Sequence, residues 1–410
     1  MNNYVIIGNG VAAVGCIEGI RSVDKEGKIT VVSEEKHHVY GRPLISYYLE
    51  GKTDLERMNY RPLGFYEEMG CEVLYGRKAI KIDNESKNVV LDDGANLPYT
   101  SVCVATGSSP FVPPVEGLET VEQKYTFMTL DDALALQKAV NSDSRVLIVG
   151  AGLIGLKCAE GIHGIVKSIT VCDLADRVLS SILDSEAAAI IQRHLEENGI
   201  SFMLSDTAVR FDKNTAYMKS GRVTEFDALV MAVGVRPNTS LVKDAGGEVN
   251  RGILVNDRME TSLPGVYSAG DCTEGNDITI GGRRVLALLP NAYMQGHAAG
   301  VNMAGGGEVF DKAMPMNSIG FFGLHAMTAG TYDGEMYEEK TDTSLKRLYT
   351  KDDRLIGFIL IGHHERAGIY TSLIREKTPL SSLNFELLKK TATTYAFSPK
   401  IRRKKFGSVV

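Results

Sequence analysis

The sequence predicts an α/β protein: two Rossmann-like domains built on parallel sheets, followed by a small α+β C-terminal domain. Three observations carry this expectation. A strand–glycine–helix pattern opens the chain at YVIIGNGVAAVGCIEGIR, residues 4–21. The same pattern returns at RVLIVGAGLIGLKCAEGI, residues 145–162. Beyond residue 315 the rhythm changes, with short strands (LKRLYT, LIGFILIG) and a helix (GIYTSLIREK) in place of long βα units.

In the first motif an apolar strand runs into Gly8-Asn9-Gly10-Val11-Ala12-Ala13 and then into a helix. Gly8 permits a tight turn, Gly10 lets backbone approach a pyrophosphate, and Ala13 allows close helix–strand packing. The helix N-terminus adds unpaired N–H groups and a positive dipole end. The following strand, KITVVSEE, leads to Glu34 at the spacing of an acid that holds a ribose hydroxyl. In the second motif Gly150, Gly152 and Gly155 complete GxGxxG, and the partner strand in SITVCDLADR ends in Asp173. An acid there bonds a ribose 2′-hydroxyl and repels a 2′-phosphate, which favours NADH, against the pull of the nearby Arg177.

The duplication extends to YTSVCVATGSSP and FDALVMAVGVRP, which share an aromatic residue, an apolar strand, a small-x-glycine turn and a proline. Each copy is expected to close its domain. The second domain then spans about residues 114–244, inserted between residues 1–113 and 245–314 of the first, with 315–410 as the C-terminal domain. Pro113-Pro114 and Arg236-Pro237-Asn238 mark the crossings, where proline breaks regular structure. TFMTLDDALALQKAVN leads into the second motif as a helix. TSLPGVYSAGDCTEG places Asp271 at a glycine turn. LALLPNAYMQGHAAGVNMAG is expected to be a helix whose small residues suit packing against a flat ligand.

Composition narrows the function. A chain of 410 residues exceeds one hydrophobic core, and 44% hydrophobic with 23% charged residues describes an ordinary globular protein. A net charge of −6 argues against nucleic acid as a partner. No apolar run reaches the ~18 residues of a membrane helix, and MNNYVIIGNG has no basic leader, so no membrane and a cytoplasmic location are expected. The six cysteines form no CxxC pair or metal-ligand spacing. They read as small buried hydrophobes, with no metal or iron–sulfur site.

Taken together, these motifs resemble the pyridine-nucleotide-dependent flavoproteins of the glutathione-reductase fold. The resemblance covers about residues 1–330 and is strongest to the disulfide-free branch. That branch includes NADH:rubredoxin reductase, ferredoxin reductases of oxygenase systems and the flavoprotein head of NADH-dependent nitrite reductase. It implies FAD and NADH as cofactors. Gly8, Gly10, Ala13 and Glu34 then bind the ADP half of FAD, Arg42 and Pro43 lie beside its pyrophosphate, and Thr106-Gly107 forms the turn beneath it. Asp271 holds the ribityl chain, while Gly150, Gly152, Gly155 and Asp173 bind NADH.

Three departures from that pattern stand out. RPLISYY puts Tyr47 where ferredoxin reductases carry a lysine (RPPLSK), and GLK puts Lys157 where the family reads GLE, with Glu160 one turn later able to share that role. Tyr47, Lys157 and Glu160 are therefore the candidate catalytic residues. Asn291 stands where a tryptophan is common, in a chain with no tryptophan.

Related NADH oxidases and coenzyme A-disulfide reductases use a cysteine near the place of HHVYGRPLISYYL, residues 37–49, and this stretch has none. The resemblance then implies electrons leaving flavin directly for an external one-electron carrier: rubredoxin, ferredoxin or an iron–sulfur partner subunit. Oxygen as acceptor, and a flavin-bearing redox sensor or assembly subunit, are the alternatives. The basic run KIRRKK reads either as a docking site for an acidic carrier or as a solvated tail. His37-His38 precede the flavin-proximal loop and read as candidates to modulate it, whereas His363-His364 read as turn or subunit-contact residues. The C-terminal domain suits a homodimer interface.

Overall fold

The computed structural model describes residues 2–406. They form two compact units. The first runs to Leu174 and resumes over Ile200–Asp277 and Gly282–Ala313; the second takes Ala175–Gly199, Ile278–Gly281 and the chain from Met314 onward.

Two five-stranded sheets organise the first unit. In one, the spatial order is Val266–Ser268, Ser101–Val104, Asn3–Ile7, Lys28–Ser33, Cys71–Tyr75, with every neighbouring pair parallel. In the other it is Ile200–Leu204, Ser168–Asp173, Arg145–Val149, Ala228–Met231, Lys124–Tyr125, again all parallel. The central strands are continuous aliphatic runs because both of their faces are covered. The repeat in sequence is a repeat in geometry: the Gly8 N–H donates to the Val32 carbonyl and the Gly150 N–H to the Cys172 carbonyl, each at 2.8 Å.

The repeated tails pair with each other. Ser108–Pro110 and Val235–Pro237 form an antiparallel ribbon in which Pro110 faces Val235 and Pro237 faces Ser108. Both ribbon strands end at a proline, Pro110 and Pro237, as expected of a residue that terminates regular structure. Each strand of a two-stranded ribbon has an open edge, where a missing N–H removes no ladder bond.

The helix rich in small residues, Leu289–Met303, packs against the helix Val11–Val23 that follows the first glycine motif. A Cβ on Gly296 would come within 2.0 Å of the Ala12 carbonyl oxygen, and one on Gly300 within 2.1 Å of that of Cys16. Gly15 and Gly19 return the contact against Tyr293 and His297. This small-residue face therefore serves backbone-to-backbone helix packing, in place of the flat ligand the sequence suggested.

The second unit is built on an antiparallel sheet in the order Met316–Phe321, Leu324–Gly330, Arg354–Ile361, Leu345–Lys351, Glu335–Lys340. Phe358, Leu348, Tyr370 and Leu373 lie in its core, the last two from the helix Gly368–Arg375. The helix Ser185–Glu197 belongs to this unit, although the sequence boundary grouped it with residues 114–244. The cause is ionic. Arg347 is 5% exposed and bonds the carboxylates of Asp184, Glu186 and Glu338, so a charge that is costly to bury alone is matched on several sides.

All six cysteines are free thiols; Cys71 is half-buried and the other five are buried. Among the described residues no group of three His, Cys, Asp or Glu is placed to hold a metal, and no helix is long and apolar enough to cross a membrane.

Candidate functional site

Each glycine loop is fixed from behind and open in front. Gly8 and Gly150 adopt φ of +113° and +118°. A Cβ on either would collide with backbone, 2.1 Å from the Ala105 oxygen and 2.2 Å from the Ala232 oxygen. Gly155 is similarly closed, 2.0 Å from the Gly150 oxygen, while its counterpart Ala13 is fully buried. In contrast, a Cβ on Gly10 or Gly152 would meet nothing within 4 Å. These two glycines are the N-caps of the helices Val11–Val23 and Leu153–Ile162, and neither has a side-chain cap bond. Two helix N-termini therefore present N–H groups to open space, an arrangement fitted to a phosphate or pyrophosphate.

The two acids are not equivalent. Because Val32 and Cys172 occupy the same register, Asp173 corresponds to Ser33, and Glu34 falls one position later. The Asp173 carboxylate accepts the Ala151 N–H at 2.7 Å, inside the second glycine loop. Glu34 is exposed (69%) and pairs with Lys78 at 3.0 Å. Arg177 is engaged locally, with Asp176 at 2.7 Å and the Leu183 carbonyl at 3.1 Å.

Arg42 opens a short turn, Arg42–Leu44, with Pro43 exposed beside it. Its guanidinium donates to Glu35 at 2.6 Å and to the Met128 carbonyl at 3.0 Å. Sequence reasoning passed over Glu35, the second acid of the SEE triplet; the available signal was an acid seven positions before the motif arginine. Asp271 follows Gly270, whose φ is +83° and whose N–H donates to Gln295 at 2.9 Å. Burial pushes the Asp271 carboxyl above the usual carboxylate range, and the Arg42 charge pulls it back. Asn238 braces the Thr106-Gly107 turn: it accepts from Thr106 Oγ1 at the backbone and donates to the Thr106 carbonyl, both at 2.9 Å. Ser108, on the same turn, approaches Asp271 at 3.5 Å.

The three candidate catalytic residues come together. Gly161 lets the helix Leu153–Ile162 approach the helix Ile45–Leu49, since a Cβ there would already lie 3.1 Å from the Ser46 oxygen. Lys157 Nζ stands 4.4 Å from the centroid of the Tyr47 ring and is ion-paired with Glu160, which is 3% exposed. A second cation, Lys52, lies 5.8 Å from the same ring and bonds Glu50 at 2.8 Å. No thiol belongs to this cluster, whose groups are a phenol, two ammoniums and two carboxylates.

Several of the remaining singled-out residues have local partners. His37 bonds Asp131 at 2.8 Å, and His38 bonds the Arg61 carbonyl at 3.0 Å. His364 lies against His325, the rings tilted by 39° with centroids 4.8 Å apart. The basic run lies on the helix Pro399–Phe406, where Arg402 covers the Tyr395 ring at 5.1 Å; the side chains of Lys404 and Lys405 fall outside the described residues.

Comparison with known proteins follows the same lines. A family model described as pyridine nucleotide-disulphide oxidoreductase matches residues 2–296. The chain is 33% identical over 396 residues to the NADH-dependent phenylglyoxylate dehydrogenase subunit epsilon of Aromatoleum evansii, covering 93% of each. It is 31% identical over 387 residues to the assimilatory nitrate reductase electron transfer subunit of Bacillus subtilis, covering 91% of this chain and 49% of that protein, so it spans about half the relative's length. Its fold matches the crystal structure of the covalent putidaredoxin reductase–putidaredoxin complex with a TM-score of 0.87 at 24% identity, covering 96% of this chain and 97% of that one. The expected α/β fold class is borne out by this likeness.

Proposed function

The chain belongs to the pyridine nucleotide-disulphide oxidoreductase family, and from that premise we propose that it moves electrons from NADH through FAD to an external one-electron carrier without a redox-active disulfide. It is an NADH-utilising oxidoreductase with FAD and NADH as its cofactors. When bound, FAD supplies a ring that takes up electrons as a pair and releases them singly or in pairs. The observation that carries the absence of a disulfide is the Tyr47–Lys157–Glu160 cluster, built without sulfur, in a chain whose six thiols are all free.

In this reading residues 1–113 and 245–314 hold FAD, residues 114–244 hold NADH, and residues 315–410 serve as an interface. The open loop at Gly8, Gly10 and Ala13 holds the FAD pyrophosphate with Arg42 and Pro43 beside it. Glu34 takes the ribose, Thr106-Gly107 supports the cofactor, and Asp271 binds the ribityl hydroxyls. The loop at Gly150, Gly152 and Gly155 holds the NADH pyrophosphate. Asp173, already fixed at that loop, bonds the ribose hydroxyl and rejects a 2′-phosphate. Arg177 is occupied by Asp176 and Leu183, which supports NADH over NADPH. Lys157, held by Glu160 over the Tyr47 ring, sets the charge and shape of the place where the nicotinamide enters.

A small rubredoxin- or ferredoxin-like protein, or an iron–sulfur subunit of a larger enzyme, is the acceptor this reading favours. Two relatives support it by description, one an electron transfer subunit and the other a dehydrogenase subunit. The test is to mix the purified FAD-loaded protein anaerobically with NADH or NADPH, then add rubredoxin, ferredoxin, flavodoxin or oxygen and follow NADH loss. Fast, NADH-selective turnover with one protein carrier is expected. If no carrier reoxidises the reduced protein faster than oxygen does, the reductase assignment fails and the sensor or oxidase reading replaces it.

A further inference from the structure

Glu35 has no role in the scheme above, yet both of its carboxylate oxygens are committed. Oε1 accepts from Arg42 Nη2 and Oε2 accepts from the Tyr40 hydroxyl, each at 2.6 Å. The Tyr40 oxygen in turn accepts the Leu130 N–H at 2.9 Å. Arg42 Nη1 donates to the Met128 carbonyl at 3.0 Å, and His37 bonds Asp131 at 2.8 Å. Three side chains of the 37–42 segment thereby grip residues 128–131, where Thr129 caps the helix Leu130–Ala139 through a capping box with Asp132. Burial pushes the Tyr40 hydroxyl well above its ordinary range, so it stays protonated and remains a donor to Glu35. The backbone carbonyl of Glu35 is itself held, accepting Ser33 Oγ at 2.7 Å.

We propose that Glu35 is the positioning residue that aims Arg42 at the FAD pyrophosphate, with Tyr40 locking the pair to the start of the 130–139 helix. The inference rests on the FAD reading of the first glycine loop. Two effects of opposite sign meet at Glu35. Its negative charge opposes an incoming phosphate, whereas its grip on a long, rotamer-rich side chain removes the ordering cost that Arg42 would meet on binding. A guanidinium also offers more donors than these two contacts use, so holding it does not exhaust it. We assign the larger weight to orientation, because both carboxylate oxygens, the buried tyrosine and the Met128 carbonyl all constrain the same side chain.

The experiment measures FAD binding to apoprotein by flavin fluorescence, with apoprotein melting as the control for folding. Glu35→Ala is expected to weaken FAD about 10-fold, a loss near 1.4 kcal/mol. Glu35→Gln, which keeps one acceptor, should lose about 3-fold or less, and Tyr40→Phe should fall between wild type and Glu35→Ala. Arg42→Ala should weaken FAD as well, and adding Glu35→Ala to it should change little further, the non-additivity of two residues acting as one. Apoprotein melting should stay near wild type throughout. If Glu35→Ala and Glu35→Gln both tighten FAD, charge repulsion dominates and the proposal is overturned. It is equally overturned if Arg42→Ala weakens FAD while Glu35→Ala does not, which leaves the cofactor reading intact. Failure of the wild-type apoprotein to take up FAD would remove the cofactor reading itself, and this inference with it. Should Glu35→Ala not fold, Glu35→Gln and Tyr40→Phe decide the same question.

Discussion

Lys157 Nζ lies 4.4 Å from the centroid of the Tyr47 ring while paired with the buried Glu160. The ammonium is thus held by a carboxylate on its own helix and by an aromatic face on another. A cation over a tyrosine contributes about 1 kcal/mol, more when water is excluded. The pair with Glu160 dominates, because removing one partner of a buried pair costs about 3–5 kcal/mol.

The first prediction separates these two contributions. Tyr47→Ala should fold normally but slow the NADH-driven loss of flavin absorbance by about 10-fold, a change of roughly 1.4 kcal/mol. Tyr47→Phe, which keeps the ring, should stay within about 3-fold of wild type. Lys157→Met should both slow that step and lower the urea midpoint, because it strips the buried Glu160 of its cation. Unchanged rapid-mixing rates in both Tyr47→Ala and Lys157→Met would remove this cluster from the reaction.

A second prediction contrasts two glycines of one motif. At Gly150 a methyl group would press on the Ala232 oxygen at 2.2 Å, and the φ of +118° disfavours any side chain. Gly150→Ala should therefore destabilise the protein by about 3 kcal/mol or fail to fold. At Gly152 the same methyl enters open space at an ordinary φ of −82°. Gly152→Ala should melt with the wild type yet raise the KM for NADH at least ~10-fold, since the added carbon occupies the approach of a pyrophosphate. Normal NADH binding by Gly152→Ala would show that the open loop is not the phosphate site.

How much of this was legible in the sequence differs from residue to residue. Gly8, Gly150 and Asp173 were readable because a tight βα turn tolerates few alternatives, and their geometry follows from neighbours within one motif. Pro237 was readable as the end of a strand but not as part of a ribbon, because its partner Ser108 lies more than a hundred residues away. The glycines of the 289–303 helix were misread for a related reason, since small residues announce close approach without naming what approaches. Glu35 was missed because its partners, Tyr40, Arg42 and Leu130, meet only once the 128–131 segment has docked.

The third prediction concerns pH. Asp24 ends the helix Val11–Val23 and accepts four bonds: from the Glu26 and Gly27 N–H groups at 2.9 and 2.8 Å, from the Tyr4 hydroxyl at 2.8 Å and from Asn2 at 3.1 Å. These bonds, led by that from Gly27, hold its carboxyl well below the usual range. A carboxylate whose folded pKa is depressed stabilises the fold above its unfolded value of about 3.9, and that contribution fades as pH falls through the folded value. Asp24→Ala should therefore lower the urea midpoint at pH 7 and pH 5 by an equal amount, with the gap to wild type narrowing below about pH 4. A gap that stays constant down to pH 3 would mean that the bonds do not depend on the charge.

The last prediction addresses the thiols. Cys71 is the one half-buried cysteine, and burial pushes its pKa up to about 11; burial likewise raises Cys172 to about 12. Since the thiolate is the reactive form, very little of Cys71 is ionised at pH 7.5, and the other five are shielded by burial as well. Iodoacetamide at that pH should modify the folded protein slowly, and labelled protein should retain its NADH-to-carrier turnover. Cys71→Ser should turn over at the wild-type rate, because no step of the proposed reaction passes through sulfur. Mechanisms with a cysteine in the electron path predict the opposite, with inactivation tracking the loss of one thiol. Counting alkylated residues by mass against residual turnover therefore discriminates between the two chemistries, and a one-to-one correlation would overturn the disulfide-free assignment.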